Sequence, residues 1–298
     1  MRPIRPMRAI RPMPPIRPMR HAIFLPPFGE LAEPGAVAEL ARLAERHGWD
    51  GFFLWDHILR RPDEPQEIAD VWITLAAVAC VTDTIRIGPM ITPISRRRPQ
   101  VLARQSVTLD HLSSGRLILG LGLGVDTSGE LSKFGETVDA TTRGDMLDEG
   151  VDLLVRLWSG ESVDHQGTYY RADDLRFLPR PLQRPRIKIW LAARAEATRP
   201  VRRAARYDGM FAIDVDLDGL ARMVRLVESE RGSLNGFDVA ALAGTPPSPP
   251  AASREQSKPS GDDIPIKSLE EAGVTWTMWP FAPGSSATEV SDRIEAGP

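Results

Sequence analysis

The sequence predicts an α/β fold, a closed (β/α)8 TIM barrel, on three observations. From His21 onward, short apolar runs of β-type residues alternate with longer stretches of helical period, the mark of a parallel sheet wrapped by helices. Eight such runs occur, the number that closes a barrel. The stretch Gly120-Leu121-Gly122-Leu123-Gly124 continues a strand and lacks the third glycine of a dinucleotide loop, which argues against an open nucleotide-binding sheet.

The strand candidates are residues 21–26, 51–55, 85–91, 117–123, 188–193, 209–213, 237–243 and 274–279. The first helix opens at Pro34, whose missing N–H costs nothing in a first turn. It presents Val37, Leu40, Leu43 and Ala44 on one face and stops at Gly48. A second helix, near 71–81, is apolar almost all round, which predicts burial on most sides and places Cys80 in the core. Pro99 opens the third, which stops at Ser113-Ser114-Gly115. In the fourth, about 142–158, Met146, Leu147, Val151, Leu154 and Trp158 recur at three and four spacing and face the barrel.

Three stretches break the rhythm. The connection 159–186, carrying HQGTYY, is too long for an αβ loop and predicts an excursion between strands 4 and 5 that serves as a lid or an interface. Residues 245–265 are rich in proline and serine, which predicts a coil within the domain and a seventh helix that is short or absent. Residues 1–20 repeat Arg-Pro-Met/Ile with six prolines, so neither helix nor ladder runs through them. They are expected to be a disordered tail, or the product of a start codon placed too far upstream, outside a single domain at 21–298.

Composition narrows the function. With 42% hydrophobic and 26% charged residues the chain is not disordered as a whole. Lys plus Arg total 37 against 40 acidic residues, and a net charge of −3 offers no field to gather nucleic acid or an anionic membrane. No apolar run approaches the roughly 20 residues of a membrane helix. The single cysteine forbids an intrachain disulfide and a thiolate metal cluster and fits a reducing compartment, so the cytoplasm is expected.

In such a barrel the chemistry lies where strands end. Strand two ends in Trp55-Asp56-His57, a carboxylate and an imidazole at the mouth, and an imidazole exchanges protons near neutral pH. His57 is the catalytic candidate; the other reading is a histidine that merely bonds a neighbouring loop. His21, His47, His111 and His165 fall at a strand start, a helix end, within a helix and in the excursion. Pro89 removes a ladder N–H near the end of strand three, and with Pro93 it predicts that pairing stops there and the backbone bends toward the mouth. A flat ligand can lie against such a bend, unless the bend only ends the strand. Gly120, Gly122 and Gly124 alternate on one face, leaving room for a large planar group or for core side chains of neighbouring strands. There is no HExxH, no cysteine pair, no GxSxG and no phosphate loop, so no metal is expected.

The stretches GWDGFFLWDH, TIRIGPMITPISRRRPQVLARQSVTLDHLSSGRLILGLGLG, LPRPLQRPRIKIWLAA and RRAARYDGMFAI resemble the bacterial luciferase-like flavin- and F420-dependent oxidoreductases. The resemblance covers nearly everything from His21 to the C-terminus and leaves out the tail and the proline-rich coil. It implies a barrel holding reduced FMN or coenzyme F420 across the strand ends, commonly as a homodimer and with a separate reductase supplying the reduced cofactor. It implies a non-prolyl cis peptide at Pro89-Met90 or Met90-Ile91, and a Thr92 whose hydroxyl or backbone reaches the ring. Asp56 and His57 match the family's strand-two pair beside the flavin. Gly122, Gly124 and the segment through Ser128 match a ring pocket. Val125 stands where sugar-phosphate dehydrogenases of the deazaflavin branch carry an acidic residue, which counts against that substrate.

After strand five, where many relatives have a glycine run, this chain has Ala192, Ala193 and Arg194. Arg194, Thr198 and Arg199 are the candidates for replacing those backbone phosphate contacts; the alternative is a solvated basic helix face. The expected activity is hydride transfer to, or reduced-flavin oxygenation of, a small organic molecule. The rival is a luciferase-like barrel that binds flavin without turnover. A barrel lyase or aldolase is disfavoured because it needs a base or lysine at the mouth, and Lys188 opens a strand at the wrong end.

Overall fold

The structure, a computed structural model, describes residues 19–194, 197–243 and 265–298. The Arg/Pro tail up to residue 18 and nearly all of the proline-rich coil lie outside these residues. Among the described residues there are eleven strands: β1 Arg20–Leu25, β2 Gly51–Leu54, β3 Arg86–Pro89, β4 Thr92–Pro93, β5 Ile118–Gly122, β6 Ser162–Gln166, β7 Arg171–Arg176, β8 Lys188–Ala193, β9 Gly209–Ala212, β10 Asp238–Leu242 and β11 Trp276–Pro280. The helices are α1 Pro34–Arg46, α2 Val71–Val81, α3 Pro99–Leu112, α4 Ala140–Trp158, α5 Thr198–Ala205, α6 Leu217–Arg231, α7 Ile266–Glu271 and α8 Ala287–Glu295.

Parallel pairing runs in the order β3-β2-β1-β11-β10-β9-β8-β5-β4. A parallel bridge from Ile87 to Leu117 joins the two ends and closes the ring. Nine strands make an eight-strand barrel because the third barrel strand is broken in two: β3 pairs with β2 up to Pro89, and β4 resumes at Thr92 to pair with β5. The bend expected from Pro89 is therefore present, and β3 ends on that residue.

Alternate residues of each strand point inward and fill the barrel. Phe53, Trp190 and Trp276 pack there with ring centroids 5.4–6.0 Å apart, two of the three contacts edge-on or nearly so. The rest of the chain's core lies between the strands' outward residues and the helices. Helix starts follow their sequence cues: Pro34 and Pro99 open α1 and α3, and the Asp70 side chain caps α2 by accepting from the N–H groups of Trp72 and Ile73.

Three expectations are corrected and one is met. Arg20 belongs to β1, paired with Trp276, so the barrel starts one residue before His21. Cys80 is exposed: α2 lies on the surface, and its near-uniform apolarity leaves Ile73, Cys80 and Val81 facing outward. Among the described residues α7 is a six-residue helix, short as expected. The 159–186 excursion is an antiparallel hairpin, β6 with β7, laid along α3 and α4 and not over the mouth. Its turn is tied down by Glu149 of α4, whose carboxylate accepts from the N–H groups of Thr168, Tyr169 and Tyr170. A polar cavity of about 320 Å³ lies between this turn and the start of α3, outside the barrel.

Candidate active site

Asp56 follows β2 and is only 4% exposed. Its carboxylate accepts from the Thr92 hydroxyl at 2.7 Å, Arg96 Nη2 at 2.8 Å and Arg97 Nη2 at 3.1 Å. Arg96 also donates to the Asp56 carbonyl at 2.9 Å. A buried carboxylate so fully engaged ties the end of strand two to the segment beyond the bend.

Arg96 reaches a second buried carboxylate, Glu130, at 3.3 Å. Glu130 accepts from the N–H groups of Ile58 and Leu59 on one oxygen and bonds His57 Nδ1 at 2.8 Å with the other. Burial opposes its ionisation, but the His57 bond, the Ile58 N–H and Arg96 outweigh that and hold its pKa below the ordinary carboxylate value. An ionised Glu130 places the imidazole proton on Nδ1. Nε2 has no hydrogen-bond partner among the described residues. The side chain of His57 is 24% exposed, and its ring centre lies 5.9 Å from those of Phe28 and Trp55.

Directly beside strand two stands the broken strand. The Met90 N–H donates to the Leu54 carbonyl at 2.7 Å, and the Met90-Ile91 peptide is cis, one of the two bonds named from the sequence. A Cβ on Gly120 would lie 2.5 Å from Met90 Sδ, and one on Gly122 would lie 2.0 Å from Ile91 Cδ1. Space at these two glycines is thus taken by side chains of the neighbouring strand, which decides between the two readings of the alternation. Gly124 departs from it: it follows the end of β5, at φ +72°, against the Pro93 ring.

Trp55, Ile91, Ile213 and Leu242 cover the open end of the barrel's inner core, above Phe24. The Trp55 indole N–H is buried there without an acceptor among the described residues. An apolar, aromatic wall of this kind fits the face of a planar heteroaromatic ring.

The remaining candidates divide. Ala192 points inward beside Gly122, whereas Ala193 turns outward under the helices. Ser128 is half-buried in the turn after β5. Arg194 is exposed and paired with Asp214 at 3.0 Å; Thr198 is exposed as the first residue of α5. Arg199 is turned away from the mouth, bonded to Asp145 and Asp148 of α4, and Arg203 and Arg206 join it on Asp148. The basic face of α5 is an interhelical ion-pair network that engages the Arg199 guanidinium with two carboxylates. Thr92, fully buried with its hydroxyl spent on Asp56, does not offer that hydroxyl to a ring. Arg96, Arg97 and Glu130 were missed by sequence reasoning. Their only signal was the run Arg96-Arg97-Arg98, which demands carboxylates that spacing does not locate.

The model of the luciferase-like monooxygenase family matches residues 19–251. Over 165 residues the chain is 32% identical to an F420-dependent glucose-6-phosphate dehydrogenase of Microbacterium testaceum, a match covering 55% of this chain and 48% of that protein. Over 182 residues it is 32% identical to an F420-dependent hydroxymycolic acid dehydrogenase of Mycobacterium tuberculosis, covering 60% and 49%. The matched region thus spans about half the length of these curated relatives. An F420-dependent secondary alcohol dehydrogenase, solved with an F420-acetone adduct, shares the fold at TM-score 0.76 and 18% identity, over 94% of this chain and 98% of that one. Among the described residues no helix is long and apolar enough to cross a membrane, and no cluster of metal-ligating side chains is present.

Proposed function

The chain belongs to the luciferase-like monooxygenase family, and from that premise we propose that it is a small-molecule oxidoreductase working with coenzyme F420, or with reduced FMN, held across the mouth. One observation carries the reading: an apolar, aromatic mouth beside a single imidazole pinned by a buried carboxylate. Ile91, Gly122 and Ala192 would flank the ring, and Arg194 and Thr198 are left to meet its phosphate end. Bound there, the cofactor supplies hydride transfer or, as reduced FMN, oxygen activation.

The chain's own part is positional and acid–base. Trp55, Phe24 and Ile91 exclude water from the reacting face. His57 Nε2 gives or takes the substrate proton, with Glu130 fixing the tautomer through Nδ1. Asp56 positions strand two against the segment beyond the bend. The F420-dependent relatives favour F420 over FMN. An apolar mouth, with exposed Val125 in place of a carboxylate, favours a substrate other than a sugar phosphate. The setting we propose is the reducing cytoplasm, with a homodimer as the working unit and a separate reductase regenerating the cofactor.

Titration of the purified chain with reduced F420 and reduced FMN, with oxygen uptake recorded, tests this reading. F420 is expected to bind and to be oxidised by substrate without oxygen consumption. Binding of neither cofactor would defeat the proposal. A His57→Ala chain is expected to keep cofactor affinity and lose roughly 10²–10⁴ in kcat. An unchanged rate would leave the barrel without the catalytic group assigned to it.

A further inference from the structure

Arginines near the mouth are nearly all neutralised: Arg96 by Asp56 and Glu130, Arg97 by Asp56, Arg194 by Asp214. Arg60, in the loop after β2, is different. Among the described residues it makes no ion pair and no hydrogen bond, yet it is half-buried and its Nε is shielded from solvent without a partner. Its guanidinium carbon lies 5.8 Å from the Phe28 ring centre and 5.9 Å from that of Trp55, the same two rings that flank His57. Glu130 is near enough to act on Arg60 electrostatically, but its oxygens are occupied by His57, Ile58, Leu59 and Arg96. Aromatic faces compensate a buried cation only partly, and arginine cannot shed its proton to escape the cost. The second orphaned donor of this corner, the Trp55 indole N–H, belongs to one of the two rings beneath the guanidinium.

We infer that Arg60, with the Trp55 indole N–H, is an oxyanion-binding site at the mouth, and that the substrate is an organic anion, a carboxylate on an apolar body. The carboxylate accepts from the guanidinium fork and from the indole. The apolar body then lies toward Ile213 and Leu242, with the reacting carbon near His57. The inference rests on the oxidoreductase reading only in calling this ligand the substrate; the anion site itself does not depend on it.

The test uses the purified chain as isolated, with 1-naphthoate and 1-naphthamide as a matched charged and neutral probe pair, binding read by calorimetry. Naphthoate is expected to bind at least tenfold more tightly than naphthamide. Arg60→Gln should erase that difference while leaving naphthamide and cofactor affinity unchanged, and Arg60→Lys should restore part of it. Equal binding of the two probes, absence of naphthoate binding, or parallel loss of both probes and of cofactor in Arg60→Gln would overturn the inference. A chain that binds neither F420 nor FMN yet keeps the Arg60-dependent preference would sink the redox reading alone.

Discussion

A carboxylate removed from water is kept ionised only by donors aimed at it, and at Glu130 those donors come from three places in the chain: His57, the backbone at Ile58 and Leu59, and Arg96. Its pKa is therefore lower folded than the ordinary value of 4.5. The sign follows by linkage: ionised Glu130 stabilises the fold above about pH 4.5, and the contribution fades as pH falls through the lower folded value. Glu130→Gln is expected to cost about 2–3 kcal/mol at pH 7, with the deficit shrinking in urea melts below pH 4. A deficit independent of pH would mean the side chain acts by shape alone. His57 was legible from sequence because a histidine beside an aspartate ends a barrel strand. Glu130 was not, since it lies 73 residues away and only the closed ring brings it within reach. The same holds for Arg199, whose orientation depends on aspartates of α4 more than 50 residues earlier.

Among the elements, the third barrel strand sets the tolerances of its neighbours. A Cβ at Gly88 would lie 1.9 Å from the Ile118 carbonyl oxygen, a backbone atom that cannot step aside. The Gly122 clash is with the far end of the Ile91 side chain, which can rotate. Gly88→Ala is expected to cost at least about 3 kcal/mol and Gly122→Ala less than about 1.5 kcal/mol, a ranking that thermal melts of the two variants would reverse if the bend were soft. The Gly122 variant should still weaken cofactor binding, because Ile91 is displaced into the mouth. In the hairpin, the Tyr170 hydroxyl is buried without a partner among the described residues, and burial first, then Glu149, pushes its pKa up to about 12. Tyr170→Phe is expected to be neutral or to stabilise by about 1 kcal/mol; a loss of that size would reveal a bound water or ligand on the hydroxyl. Helix starts and the break at Pro89 were readable because proline acts locally, through its own missing N–H. The hairpin was not, because its strands are mostly polar and its turn depends on Glu149.

At the scale of the whole molecule, two neighbouring helices leave apolar side chains uncovered. Ile73 on α2 is 66% exposed and Val101 on α3 is 50% exposed, with Val81 and Leu112 exposed further along the same helices. Cys80 faces out beside them. A monomer gains nothing from such a surface, whereas a two-fold axis through it would bury the same patch twice. For the homodimer proposed above, α2 and α3 are therefore the expected interface. Sedimentation velocity of the wild-type chain at tens of micromolar is expected to show a dimer, and Ile73→Asp with Val101→Asp should yield a folded monomer that still binds cofactor. Maleimide labelling adds an independent reading, since Cys80 should react slowly in the dimer and quickly in the double variant. A wild-type monomer, or a dimer that survives both substitutions with Cys80 still reactive, would remove α2 and α3 from the interface.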